Sequence, residues 1–268
     1  MLLAVDVGNT NTVLGLFDGE RLTDSWRVKT DARATADELA LLFRGLLERH
    51  PVPDGVAVCS TVPAVLHEMR SVLTRYYAKV PAVIVEPGVK TGVPLLYDNP
   101  REVGADRIVN SLAAFTIYGG PAIVVDFGTS TNFDVVSAKG EFLGGALAPG
   151  IEISVDALAS RGARLFKVEL ARPRSVIAKT TTEALQSGIL YGFAGQVDGL
   201  VRRIEAELGE KATVVATGGL APLVLGESET LQHYEPELTL IGLRIVFHKN
   251  IEPRTSGPGP VLHHIAGT

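Results

Sequence analysis

The sequence predicts an α/β protein made of two copies of one unit, each a mixed sheet flanked by helices. Three observations carry this. The segment Ala4-Val5-Asp6-Val7-Gly8-Asn9-Thr10-Asn11-Thr12 recurs as Val124-Val125-Asp126-Phe127-Gly128-Thr129-Ser130-Thr131-Asn132, with an apolar run, an Asp, a Gly and then small hydroxyl or amide residues. Each copy runs on into a second strand-like stretch, Val13 to Phe17 or Phe133 to Val136, so each reads as a β-hairpin with a polar turn. Between the copies, Gly119-Gly120-Pro121 breaks the chain, dividing residues 1–120 from residues 121–250.

In the first half, Arg21 to Lys29 reads as a third antiparallel strand. Thr35-Ala36-Asp37-Glu38 opens a helix, with Thr35 at the N-cap and Glu38 at the capping-box position. Leu39, Leu42, Phe43, Leu46 and Leu47 follow at helical spacing. Gly55 to Cys59 is a short apolar strand, Val62 to Tyr77 a helix and Val83 to Val85 a strand. A Gly/Pro-rich passage from Pro87 to Pro100 leads to a helix over Val103 to Tyr118. The second half repeats the opening, with a third strand near Glu141 to Leu147 and a helix after Pro149-Gly150. Arg161 to Lys179 reads as loop, Thr181 to Leu208 as a long helix with glycines at 188, 192, 195 and 199, and Val214 to Thr217 as a strand. Leu238 to Lys249 is the final helix, and residues 251–268, rich in Pro and Gly, read as a disordered tail in which His263 and His264 are incidental.

The repeated turn suits phosphate and cations. Glycine allows a sharp turn and close ligand approach. Successive N–H groups in a turn form an anion-binding concavity, and an Asp at a strand end is a hard oxygen ligand for a cation. One such segment alone reads as an ordinary turn; two at equivalent places in two halves point to a site. A second informative stretch, Tyr97 to Asn110, contains Gly104-Ala105-Asp106-Arg107 in the first turn of the third predicted helix. There the helix dipole and Arg107 are expected to hold Asp106 ionised. Such a carboxylate can accept the proton of an attacking hydroxyl, while Arg107 can clamp a carboxylate or a moving phosphoryl group. An Asp at a helix start beside a salt-bridging Arg is also a common surface arrangement, so the pair alone leaves both readings open.

Composition narrows the classes. A chain of 268 residues with 46% hydrophobic and 21% charged residues can bury substantial cores. The net charge of −5 and the lack of a Lys/Arg cluster argue against nucleic-acid binding. Asp6 interrupts the N-terminal apolar run too early for a signal peptide, and no apolar stretch is long enough to span a membrane. The single cysteine, Cys59, excludes an internal disulfide and fits a reducing cytoplasm, where it reads as a buried small apolar residue. Trp26 reads as packing, and His50, His67, His233 and His248 lack metal-ligand spacing.

The paired hairpins resemble those of the acetate and sugar kinase, actin and heat-shock chaperone ATPase superfamily, whose actin-like (ribonuclease H-like) domains hold nucleotide in the cleft between them. The ordered set Asp6 to Thr12, Gly104 to Arg107, Asp126 to Thr129 and Thr180 to Gly188 resembles type III pantothenate kinases, over nearly the whole chain to about residue 250. That resemblance implies ATP-dependent phosphorylation of pantothenate, the first step of coenzyme A biosynthesis. It implies that Asp6, Val7, Gly8, Asn9, Thr10, Asn11, Thr12 and Val13 form the first phosphate loop, with Asp6 near magnesium through water, and that Thr129 contacts ATP. Asp126 is implied to hold a monovalent cation, potassium or ammonium, and Asp106 to be the general base. Tyr97, Gly104, Ala105, Asp106, Arg107 and Thr181 are implied to line the pantothenate pocket, in a homodimer. Ser130 and Asn132 stand where the family pattern has Ala and Thr, and Ala178-Lys179-Thr180 where it has Gly-Lys-Asn.

Two rivals follow from the same residues. One is a non-catalytic accessory transcription regulator of this family, against which the acidic balance and the three aspartates Asp6, Asp106 and Asp126 argue. The other is a kinase or phosphatase for another small hydroxy acid or sugar, against which Gly104 to Arg107 argues.

Overall fold

Two five-stranded sheets with one topology organise the chain, in a computed structural model that describes residues 1–162 and 168–251. In the first, strands β1 (Leu2–Val7), β2 (Asn11–Asp18), β3 (Arg21–Lys29), β4 (Gly55–Ser60) and β5 (Ala82–Ile84) lie in the order β3-β2-β1-β4-β5. In the second, β6 (Ala122–Phe127), β7 (Ser130–Val136), β8 (Phe142–Pro149), β9 (Thr213–Thr217) and β10 (His233–Tyr234) lie in the order β10-β9-β6-β7-β8. In each, three antiparallel strands are extended by two parallel ones on the other side of the central strand. The duplication written in the sequence is therefore a duplication of strand order and direction.

The central strands are continuous apolar runs because both faces are covered. On one face of the first sheet, helices α1 (Ala36–Leu46) and α2 (Pro63–Tyr76) pack over Leu3, Val5, Leu14 and Val58. The expected capping box starts α1: Thr35 Oγ1 accepts from the Glu38 N–H at 3.4 Å, and the Thr35 N–H donates to Glu38 Oε2 at 2.8 Å. On the second sheet, α4 (Ile151–Arg161), α5 (Thr181–Leu208) and the short α6 (Ala221–Leu225) cover Ile123, Val125, Val214 and Ala216.

Between the sheets lie α3 (Ala105–Tyr118) and α7 (Leu238–Ile251), which pack on each other. The final helix crosses back: Leu240, Leu243, Val246 and Phe247 join the core formed by Leu2, Ala4, Ala57 and Cys59 of the first sheet. No apolar stripe distinguishes this helix in the sequence, since neighbours meet it on several sides. Three details differ from the sequence expectation. The third helix begins at Ala105, after a separate 3-10 turn at Pro100–Glu102, because Val103 and Gly104 between them leave the helical region at ψ 120° and 143°. The short α6 and β10 give too little periodicity to predict. Ile251 closes α7, so the tail expected from 251 starts no earlier than residue 252, and that tail and its histidines lie outside the described residues. No helix among the described residues is long and apolar enough to cross a membrane.

Candidate active site

The polar turns of both hairpins open into one cleft of about 790 Å³ between the sheets. They touch: Thr10 Oγ1 and Thr129 Oγ1 are 3.3 Å apart. Each turn is closed by a glycine N–H, Gly8 to the Asn11 carbonyl at 3.0 Å and Gly128 to the Ser130 carbonyl at 3.0 Å. The first turn is braced from the end of β3, where the Thr30 hydroxyl donates to the Gly8 carbonyl at 2.7 Å and lies 2.9 Å from Thr12 Oγ1. In the second turn Ser130 Oγ donates to Asn132 Oδ1 at 2.7 Å, so the two residues that depart from the family pattern bond to each other.

Asp6 and Asp126 end the two central strands and face the cleft. Burial raises the Asp6 carboxyl to about 7, opposed by the Cys59 thiol and Arg27 and reinforced by Asp106. Burial likewise raises Asp126 to about 8, with Asp106, Asp134 and Asp6 adding repulsion and Arg27 opposing it. The Cys59 thiol donates to Asp6 Oδ1 at 3.2 Å, and burial pushes its own pKa up, so it stays a protonated donor. Among the described residues no donor reaches the Asp126 carboxylate. Gly218, at φ 89° after β9, lets the chain pass beside it: a β-carbon there would stand 2.6 Å from the Phe127 carbonyl and 2.8 Å from Asp126 Oδ1.

Asp106 lies in the first turn of α3, as expected, but its carboxyl pKa is raised. Burial outweighs the backbone N–H of Arg107 and the Arg107 charge, which pull the other way. The Arg107 guanidinium also has a partner of its own. Its Nε and Nη2 donate to Asp134 Oδ1 at 2.7 and 2.6 Å, and its guanidinium lies 5.3 Å from the centre of the Phe142 ring. Both partners are buried, Asp134 completely. Asp134 is itself raised to about 6 by burial, with Arg107 opposing. Asp106 Oδ1 is buried with no hydrogen-bond partner among the described residues, in a place where a β-carbon on Gly104 would collide with it. The cleft thus contains an unsatisfied carboxylate oxygen beside two phosphate-type turns.

Of the residues expected at the site, Asp6, Gly8, Asn9, Thr10, Asn11, Val13, Gly104, Asp106, Arg107, Asp126 and Thr129 line the cleft. The others do not. Val7 is in the core, Thr12 is turned toward Thr30, and Ala105 packs on the first core. Thr181 is exposed at the start of α5, one residue after its N-cap Thr180. Tyr97 packs on Phe142, with ring centres 6.0 Å apart, one aromatic ring away from Arg107. Sequence reasoning missed two charged residues. Asp134 is an acid inside the apolar run Phe133 to Val136, and a buried charge there calls for a partner. Arg27 lines the cleft from β3, opposite Val13, which is in turn opposite Asp6; hairpin register could have found it.

The oxygen-only donors fit hard cations. Among the described residues no group of three or more His, Cys, Asp or Glu could hold a metal by itself. A divalent ion would therefore need phosphate oxygens or water to complete its ligands, which suits one that arrives with a nucleotide.

The chain was compared with known proteins. Residues 2–203 match the family model described as type III pantothenate kinase. A type III pantothenate kinase from a Parafrankia species is 69% identical over 254 residues, 95% of this chain and 100% of the relative. One from Frankia alni is 70% identical over 251 residues, 94% of this chain and 100% of the relative. Among solved structures, a ROK family protein from Streptococcus pneumoniae in complex with sucrose superposes with a TM-score of 0.55 at 13% identity, covering 92% of this chain and 98% of that one. That likeness is one of fold, and it agrees with the two duplicated actin-like units read from the sequence.

Proposed function

The chain belongs to the type III pantothenate kinase family, and on that premise we propose how its cleft carries out the reaction. The protein is a kinase that transfers the γ-phosphoryl group of ATP to pantothenate, the first step of coenzyme A biosynthesis. ATP with a divalent ion lies across the turns Gly8 to Asn11 and Gly128 to Ser130, which line the cleft. Asp106 is the general base. The observation that carries this is its buried, unpartnered Oδ1 in the same cleft as both turns. It takes the proton of the pantothenate hydroxyl as that oxygen attacks the γ-phosphorus in line with the leaving ADP. A raised pKa suits this task, because a base works best when its pKa approaches the operating pH.

Arg107, with two of its three nitrogens held by Asp134, is a fixed donor on the acceptor side rather than a mobile clamp. Asp6 would hold the divalent ion, and Asp126, whose carboxylate no donor reaches among the described residues, would hold a monovalent cation. These ions offset phosphate charge in a reaction that asks mostly for positioning and electrostatics. The buried free thiol of Cys59 supports a reducing, cytoplasmic setting. A homodimer is supported by α5, where, among the described residues and apart from the helix's own backbone, nothing comes within 4 Å of a β-carbon built at Gly188, Gly192 or Gly195, and by exposed Val176 and Ile177 just before it.

The test is formation of phosphopantothenate by the purified protein with potassium or with sodium alone. Product that requires potassium supports both the reaction and the role of Asp126. Product in either salt keeps the kinase and discards the cation site. Bound ATP without product moves the reading to the regulator or to another acceptor.

A further inference from the structure

Six acids line the cleft, namely Asp6, Glu102, Asp106, Asp126, Glu152 and Glu237, against two cations, Arg27 and Arg107. A polyphosphate that enters this space meets repulsion unless a cation is available to it. Arg107 is not fully available, because Asp134 takes two of its nitrogens in a buried pair. Arg27 makes no ion pair among the described residues, and its charge acts on Asp6 and Asp126 without touching either.

Its direction is fixed by the strand. Side chains alternate along β3, and Trp26 and Val28 pack on the core under α1 and α2. Arg27, between them, points to the opposite face. Register then sets Asp6, Val13 and Arg27 in one row across β1, β2 and β3, and all three line the cleft. The far end of the side chain reaches the second half: its Nη1 is 3.3 Å from where a β-carbon on Gly219 would stand. The guanidinium therefore bridges the two halves beside the glycine turn that follows β9, with no acceptor among the described residues.

We infer that Arg27 binds the non-transferred phosphates of the nucleotide, bridging the first hairpin and the Gly218-Gly219 turn across the cleft. This rests on the reading of the cleft as an ATP site, and adds to it the residue that supplies the anion's counter-charge. Arg27 sits on the nucleotide side, away from the Arg107–Asp134 pair, so it acts on ATP and ADP alike and not on the acceptor.

The experiment is calorimetric titration of the full-length protein with MgATP and with MgADP in the absence of pantothenate, for the native protein, Arg27→Gln and Arg27→Lys. Losing a charge-assisted contact should weaken both nucleotides about ten- to a hundredfold in Arg27→Gln. Arg27→Lys should recover part of the loss, since a point charge replaces the guanidinium fork. In steady-state assays the KM for pantothenate should stay within about twofold, the mark of a contact confined to the other substrate. Native-like nucleotide affinity in Arg27→Gln would overturn the assignment. So would an equal loss of pantothenate affinity, or a fall in melting temperature large enough to make Arg27 structural. If the native protein binds MgATP and phosphorylates no pantothenate, the acceptor reading fails while the nucleotide titration still decides Arg27.

Discussion

The two halves share a backbone and differ in what they present across it. In the first, the row Asp6, Val13, Arg27 runs from acid to apolar to base. In the second, the equivalent row is Asp126, Asn132, Leu147, and it ends in an exposed apolar residue instead of a cation. Both rows line the cleft. Two residues further along the same strands, away from the turns, the contrast repeats. Gly15 and Asp134 occupy equivalent positions, paired with Ala4 and Val124. Over Gly15 lies the Leu240 side chain of α7, whereas Asp134 receives Arg107 of α3. At this position one helix meets its sheet by apolar contact and the other by an ion pair. Duplication supplied the scaffold, and divergence at a few inward positions put a cation, Arg27, in the cleft row of one half and an ionic anchor for α3 in the other.

The largest expected effect belongs to the residue that stands between the rows. Asp106→Asn keeps the shape and removes the proposed base, so turnover should fall about 10²- to 10⁴-fold, with MgATP affinity near native in calorimetry. Loss of nucleotide affinity, or of folding by circular dichroism, would make Asp106 part of the scaffold and would leave the site without a base.

The second effect tests the two ways of docking a helix. Asp134→Ala strands the buried Arg107 charge and should cost about 3–5 kcal/mol in denaturant unfolding, the usual penalty for removing one member of a buried pair. The double variant Asp134→Gly/Arg107→Leu copies the arrangement at Gly15 and Leu240. Replacing a buried ion pair by apolar groups is often neutral or better, so the double variant should regain most of that stability while remaining inactive. A double variant as unstable as the single one would mean that the second sheet does not tolerate the first sheet's solution.

How far the sequence exposes this design depends on which residues carry it. The hairpins, the capping box at Thr35 and the position of Asp106 at a helix start follow from local rules, because turns, caps and periodicity are short-range. The sheet order follows from repetition. The return of α7 to the first sheet is invisible locally, since it depends on what surrounds the helix. The electrostatics of Asp106 are misjudged for a related reason: adjacency in sequence suggests that Arg107 serves Asp106, while the fold gives Arg107 to Asp134, 27 positions away in the chain. Thr181 and Tyr97, expected at the pocket by resemblance, stand outside the cleft of a single chain.

The smallest effect separates the two aspartates at the strand ends, and its sign follows from their shifts. Burial, above all, raises Asp6, Asp126 and Asp134 from an ordinary 3.8 to about 7, about 8 and about 6 in the folded protein. Between these limits the native state holds more protons than the unfolded state, so stability falls as pH rises. The contribution is complete below the unfolded value and is lost as pH passes through the folded ones. Carboxylates shifted the other way, such as Glu38 and Glu183, lose their contribution only as pH falls into the acid range, and do not mask this trend. The melting temperature of the nucleotide-free protein in sodium buffer should therefore decline from pH 5 to pH 8. Asp126→Asn should flatten the upper end of that decline more than Asp6→Asn does, since burial and three neighbouring carboxylates hold Asp126 higher. MgATP with potassium favours the charged carboxylates and should raise the melting temperature more at pH 8 than at pH 5. A flat profile in the native protein, or equal effects of the two variants, would mean that the hairpins do not differ in charge and that their division of labour lies in Arg27 alone.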